Sequence, residues 1–263
     1  MPTPPSQAWP GSEVVRPAIE RPEAMRLAAT EYQRVVDAVL ALRAEDWVRP
    51  TDCTDWTVRQ LVAHIAGMAK FASSPLEMVR QMRAVKVRQQ VGQASVDAQT
   101  AVQVEQREHL EVAELCAELR QVGPRAARGR RLTPGIVRRR RLPEPQVVNG
   151  HQETWSIGYL TDVILTRDPW MHRLDLARAT GTAPTFTVDH DGVIIADTVL
   201  EWARRHGRPY RLELTGPAGG RWSTGTDGEQ IVMDAADFCR VVSGRPGPDG
   251  LAAAGLLATQ VPF

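Results

Sequence analysis

Between Met25 and Leu42 the apolar residues Met25, Ala28, Tyr32, Val35, Val36, Val39 and Leu42 recur three and four positions apart. That period is the mark of an α-helix with one apolar face. The surrounding stretch, Pro22 to Arg43, is rich in Ala and has no internal Gly or Pro, so its helix propensity is high. A helix with a single apolar face must bury it against other elements. The opening of the chain therefore points to helix-on-helix packing.

A second helix has its own start signal. Thr57 and Gln60 form the T-x-x-Q pattern of a capping box, with Trp56 and Leu61 at the positions of a hydrophobic staple. Val58, Leu61, Ile65 and Met68 make its buried stripe, and His64 lies beside them, so it should point inward. Helical patterning continues over Leu76–Gln90 and Asp97–Gln121, where Cys116 is expected in the core. From Gly123 to Pro145 the period vanishes. Eight arginines stand there (Arg125, Arg128, Arg130, Arg131, Arg138, Arg139, Arg140, Arg141), and the segment reads as a solvated connector. Helical marks return over Gln152–Leu165. A helix then runs to Thr180 and stops at Gly181, with a kink or restart at Asp168 because Pro169 follows it.

The ends differ from this helical body. Residues 1–20 carry Pro2, Pro4, Pro5, Pro10 and Pro17 and read as a flexible or extended arm. After Gly181 a helix is expected over Asp191–His206, then strands at Tyr210–Thr215, Trp222–Thr224 and Glu229–Asp234, then a short helix over Ala235–Ser243. The fold class is mainly α: an arm over 1–20, a helical bundle over 21–183, and a small α+β domain over 184–263.

Charge and cysteine content narrow the function. The 32 basic and 31 acidic residues give a formal net charge of +1, which argues against a dedicated nucleic-acid binder. The arginine run has no interleaved aromatics for stacking on bases. Cys53, Cys116 and Cys239 are far apart and form no CxxC pair, so no disulfide framework or cysteine zinc site is indicated. No apolar run is long enough to cross a membrane, and the N-terminus lacks the apolar core of a signal peptide. The expectation is a reduced, cytoplasmic protein.

The chemistry centres on the segment from Thr166 to Gly181. Asp168 and His172 are four residues apart, on one face of a helix. An inward-facing His64 would complete a two-histidine, one-carboxylate set for a divalent ion, leaving an open position for water or a thiolate. Zinc is the first candidate, and Asp175 could orient a ring from behind or pair with Arg178. Asp168 followed by Pro169 is equally an N-cap with a first-turn proline, and the pattern alone leaves both readings open. Trp56, Trp155 and Trp170 read as packing residues. His109, His151, His190 and His206 lie in polar surroundings and are given no role.

The run TDCTDWTVRQLVAH, Thr51 to His64, resembles the first signature of the DinB-like, mycothiol-dependent maleylpyruvate isomerase family; Cys53, Trp56, Thr57, Val58, Leu61, Val62 and His64 carry the likeness. DPWMHRLDL, Asp168 to Leu176, resembles the second signature, with Asp168 where the family normally has Glu. Asp237, Phe238, Ser243, Gly244, Arg245, Val261, Pro262 and Phe263 resemble its C-terminal pattern. The resemblance implies a four-helix bundle followed by a sterol-carrier-like α+β domain. It implies a metal held by His64, Asp168 and His172, mycothiol as cosubstrate, a small electrophilic substrate, and isomerisation or S-transfer. It also implies a helping arginine in the small domain, for which Arg245 is the candidate. A ligand-binding protein with a weakened metal site is the alternative.

Overall fold

The computed structural model describes residues 13–53, 55–90, 95–250 and 253–263; most of the proline-rich arm, residues 1–12, lies outside them. In chain order the elements are β1 (Val14–Val15), α1 (Arg21–Leu40), α2 (Val58–Ser73), α3 (Pro75–Arg88), α4 (Ser95–Glu105), α5 (Val112–Leu132) and α6 (Gly135–Arg138). Then come β2 (Gln146–Val148), β3 (His151–Trp155), α7 (Ile157–Tyr159), a π-helical turn over Leu160–Ile164, and α8 (Leu165–Thr180). The last part holds α9 (Val193–His206), β4 (Tyr210–Thr215), β5 (Gly220–Thr224), β6 (Glu229–Asp234) and α10 (Ala235–Val242).

Two compact units result. Glu20–Pro134 with Thr161–Thr185 is the helical one; Gly135–Leu160 and Phe186–Phe263, with residues 13–19, make the other. A single bundle over 21–183 is expected from the sequence, whereas here Gly135–Leu160 groups with the C-terminal part.

In the helical unit α1, α2, α5 and α8 form a four-helix bundle, and α3 and α4 pack against α2. Val35 and Val39 of α1, Leu61, Val62 and Ile65 of α2, Leu115 and Leu119 of α5, and Leu176 of α8 share one buried apolar cluster. Burying each such side chain contributes roughly 1.5–3 kcal/mol. The capping box forms as the sequence predicts: the Thr57 N–H donates to Gln60 Oε1 at 2.8 Å.

Three local expectations need correction. The helix expected over Asp97–Gln121 is two helices, α4 and α5. The Arg59 guanidinium gathers the carbonyls of Arg107, Glu108 and Leu110 between them at 3.3, 2.9 and 2.6 Å, which fixes the chain reversal. The arginine-rich segment is no solvated connector in its first half, because α5 continues through Gly123 and Pro124 to Leu132. Its buried stripe is Leu115, Leu119, Val122, Ala126 and Arg130; a buried arginine at the last position hides the period. The third correction concerns Asp168, which neither starts nor caps a helix: α8 runs unbroken through Pro169.

In the second unit Gln152–Trp155 is strand, not helix. β3 pairs antiparallel with β2 and parallel with β1, so sheet hydrogen bonding overrides the helical-looking marks. The connecting Asn149–Gly150 has φ 50° and 75°, the left-handed pair of a type I′ hairpin turn. In the other sheet β4 lies between antiparallel β5 and parallel β6. Trp202 of α9 packs edge-on against Tyr210 and Phe238 at ring-centroid distances of 5.0 and 5.3 Å. Glu153 and Glu201 both pair with Arg205, and the Tyr159 hydroxyl donates to Glu201 at 2.6 Å. Two histidines expected in polar surroundings are instead packed: His190 is buried, and His206 meets Trp202 edge-on with ring centroids 4.3 Å apart. No helix among the described residues is long and apolar enough to cross a membrane.

Candidate metal centre

His64 comes from the second turn of α2, Asp168 and His172 from adjacent turns of α8. The bundle brings the three together. The Asp168 Oδ1 stands 3.4 Å from His64 Nε2 and 3.4 Å from His172 Nε2. One ligand atom from each residue falls within 4.8 Å of the others. The two imidazoles meet edge to face, with centroids 5.0 Å apart and an interplanar angle of 87°. The i, i+4 spacing on α8 does what the sequence predicts, and the inward stripe of α2 supplies the third member.

The helix under Asp168 depends on a residue outside the cluster. Pro169 has no N–H for the carbonyl of Leu165, one turn earlier. Arg130 Nη1 donates to that carbonyl at 2.7 Å, while its Nε serves Thr161 O at 2.6 Å and its Nη2 the Thr166 hydroxyl at 2.5 Å. Arg130 is 1% exposed. The π-turn at Leu160–Ile164 and the proline are thereby held in a continuous helix, and the kink expected at Asp168 is unnecessary.

Each histidine is engaged on its far side. His64 Nδ1 meets Gln103 Oε1 at 2.9 Å, and His172 Nδ1 meets Asp175 Oδ2 at 3.0 Å. Asp175 is wholly buried and orients the ring; Arg178, its other possible partner, pairs with Asp52 instead. Carboxylate–histidine pairs of this kind fix the tautomer and raise ligand basicity at metal centres. Behind Asp175 stands Cys53, its Sγ 3.5 Å from Asp175 Oδ2 and 3.8 Å from His172 Nδ1. The sequence offers no role for Cys53 beyond the family likeness, and none for Gln103.

In the metal-free cluster a charged Asp168 and a protonated His172 stabilise each other. Burial pushes the Asp168 carboxyl up, but His172 beside it, joined by His64 when its Nε2 carries a proton, outweighs burial and holds it well below the usual carboxylate range. Burial likewise disfavours a charged His172; Asp168 first, then Asp175 and Cys53, overcome it and raise the imidazolium well above the usual histidine range. Asp168 Oδ2 is buried with no hydrogen-bond partner among the described residues. The spacing suits a small cation: two donors each ~2.1 Å from a tetrahedral zinc ion stand about 3.4 Å apart. Both His–Asp separations equal that value.

Trp170 and Trp155 are buried packing residues, and Trp56 lies against His64 with centroids 5.2 Å apart. Arg245 belongs to the other unit. It follows Gly244, whose φ is 88°, and its Nη1 donates to Ser243 Oγ at 3.2 Å.

Over 227 residues the chain is 27% identical to two uncharacterised proteins of Mycobacterium tuberculosis, Rv0036c and MT0041, covering 80% of each partner. The crystal structure of the mycothiol-dependent maleylpyruvate isomerase superposes with a TM-score of 0.56 at 18% identity, over 88% of this chain and 92% of that one. A histidine-to-alanine mutant of that enzyme matches with the same TM-score at 19% identity. At that identity the likeness speaks for the fold: a helical bundle with a small α+β region. Residues 28–177 match the family described as the mycothiol maleylpyruvate isomerase N-terminal domain. That match takes in more than half of the 263 residues and all three candidate donors, so the chain belongs to the mycothiol maleylpyruvate isomerase family.

Proposed function

We propose that this protein is a divalent-metal-dependent enzyme that uses mycothiol to isomerise a small electrophilic substrate, or joins the mycothiol sulfur to an electrophilic carbon of it as a thiol S-transferase. The observation that carries the reading is the convergence of His64 Nε2, Asp168 Oδ1 and His172 Nε2, with His–Asp separations of 3.4 Å and a second Asp168 oxygen left over. Zinc fits the donor set of two imidazoles and a carboxylate. Such an ion, when bound, lowers the pKa of a coordinated thiol, so that a thiolate nucleophile is available at neutral pH.

The remaining work falls to the protein. His64 and His172 are held ring-first toward the centre by Gln103 and Asp175. The partly buried, negatively charged Asp168 sets the net charge of the donor set. Trp56 and the apolar stripe of α2 keep bulk water from the rings. Mycothiol as the thiol, and maleylpyruvate-type isomerisation as one form of the reaction, come from the family and from the isomerase whose fold the chain shares. Arg245 is our candidate for the assisting arginine of the C-terminal unit, tested by the kinetics of Arg245→Lys and Arg245→Ala with mycothiol.

A non-catalytic binding protein on the same fold would be favoured if the Asp168–Pro169 pair disrupted the donor set. Arg130 keeps the helix continuous there, which weighs against that reading. The test is loss of mycothiol with activated electrophiles, for S-transfer, and isomerisation of a maleylpyruvate-type substrate with the mycothiol regenerated, each with and without added zinc. Turnover in zinc-loaded protein that disappears in His172→Ala supports the reading. Mycothiol-independent turnover, or none in metal-loaded protein, contradicts it.

A further inference from the structure

Behind His64 runs a buried line of amides that the reaction itself does not require. Gln81 of α3 donates from Nε2 to the carbonyl of Gly67 at 3.0 Å. Gln103 of α4 donates from Nε2 to Gln81 Oε1 at 3.1 Å, and its Oε1 faces His64 Nδ1 at 2.9 Å. Gln81 and Gln103 are both fully buried.

The direction of the line follows from its far end. A backbone carbonyl can only accept, so Gln81 must turn its NH2 toward Gly67 O. Its oxygen then faces Gln103, which must offer its NH2 in turn. Gln103 is left presenting an oxygen to His64, which must carry its proton on Nδ1. The Nε2 of His64 consequently points a lone pair at Asp168. The Met68 Sδ, 3.0 Å from Gln103 Nε2, adds a weak acceptor on the side where the NH2 belongs.

Without this line the opposite tautomer would win in the metal-free protein. Nε2–H would donate to Asp168 Oδ1, 3.4 Å away, and a proton would occupy the ligand position. Resting on the metal-centre reading above, we infer that Gln81 and Gln103 are positioning residues that hold His64 as the Nδ1–H tautomer, with its metal-binding nitrogen free. Gln81 does this without touching the donor set. Gly67 is part of the device, because a Cβ there would come within 2.6 Å of Gln103 Cβ and Cγ and push α4 away.

The test uses the full-length, metal-free protein with labelled histidines at alkaline pH, where the tautomer is read from imidazole nitrogen chemical shifts. The wild type is expected to show His64 as Nδ1–H. Gln81→Met, close to Gln in length but without an amide, frees Gln103 to rotate, so His64 should shift toward Nε2–H and zinc affinity should fall about 10-fold, the lower range for loss of an outer ligand partner. Gln81→Glu, whose carboxylate still accepts from the Gln103 NH2 at alkaline pH although it cannot donate to Gly67 O, should keep the wild-type tautomer; mere packing would not separate the two variants. An Nε2–H tautomer in the wild type, or an unchanged tautomer in folded Gln81→Met, overturns the inference. If Gln81→Met does not fold, the wild-type tautomer and Gln81→Glu still decide. If the wild type binds no metal, the metal-centre reading fails, while the tautomer is read independently of it.

Discussion

Arg130 Nη1 donates to the carbonyl of Leu165 at 2.7 Å, the acceptor for which Pro169, one turn on, has no N–H. This places a buried guanidinium from α5 inside the hydrogen-bond ladder of α8. Its other nitrogens take Thr161 O and the Thr166 hydroxyl, so one side chain covers both the π-turn and the proline. The register of Asp168 and His172, one turn apart on the same helix, depends on that ladder staying regular.

Replacing Arg130 should therefore be costly for both stability and metal binding. Arg130→Met removes the donor that serves three buried acceptors, and a loss of about 2–4 kcal/mol is expected in urea unfolding. Arg130→Lys, with a single ammonium in place of the fork, should lose about half as much. Pro169→Ala should change stability little, because Leu165 O already has its donor. Wild-type stability in Arg130→Met would contradict this assignment.

Asp175 acts on the metal centre through His172. In Asp175→Asn the amide no longer presents a carboxylate to Nδ1, and zinc affinity should fall 10–100-fold with the helical circular dichroism retained. Isothermal titration of the two proteins side by side measures it. Equal affinities would show that the 3.0 Å contact does not tune the ring.

Two glycines separate damage to the fold from damage to the site. A Cβ at Gly129 would lie 2.5 Å from Ala72 O and 2.6 Å from Ser73 O, backbone atoms at the end of α2. A Cβ at Gly67 would instead meet Gln103 at 2.6 Å. Each alanine variant should lose roughly 1–3 kcal/mol from overpacking. Only Gly67→Ala should also weaken zinc binding beyond what its melting temperature explains. A parallel loss of zinc in both would contradict the special standing of the α2–α4 contact.

The pH dependence follows from His172, whose imidazolium is raised above the usual 6.5 in the folded protein. In the metal-free form this contribution to stability is fully present below 6.5 and is lost as pH rises through the folded value. Metal binding needs the same nitrogen deprotonated, so zinc affinity should climb with pH, about 10-fold per unit for one released proton, until His172 has ionised. Titrations in buffers of different ionisation enthalpy count the protons. A flat affinity profile from mildly acidic to alkaline pH would rule out proton competition at His172.

Much of this was legible in the residues. Thr57 and Gln60 announced the start of α2, Gly181 the end of α8, and the spacing of Asp168 and His172 put both on one face. What stayed hidden was hidden for physical reasons. Arg130 looks like one more surface charge in a run of arginines, since only its three buried acceptors, from a segment more than thirty residues away, make it a core residue. The β2–β3 hairpin carried its signal in Asn149–Gly150, but Trp155 and Tyr159 four residues apart mimic a helical face. Gln81 and Gln103 are polar residues on ordinary amphipathic helices, and nothing local says that they touch. Cys53 meets His172 and Asp175 only because the turn before α2 folds back on α8.

The central claim is that His64, Asp168 and His172 hold one divalent ion. The most direct measurement is metal content of the purified wild type beside His64→Ala and His172→Ala, each after equilibration with zinc and removal of excess. The account predicts about one ion per chain in the wild type, as for a single three-ligand centre, and loss of that ion in both variants. A wild type that takes up no zinc or other divalent ion, or variants that keep it in full, would contradict the account.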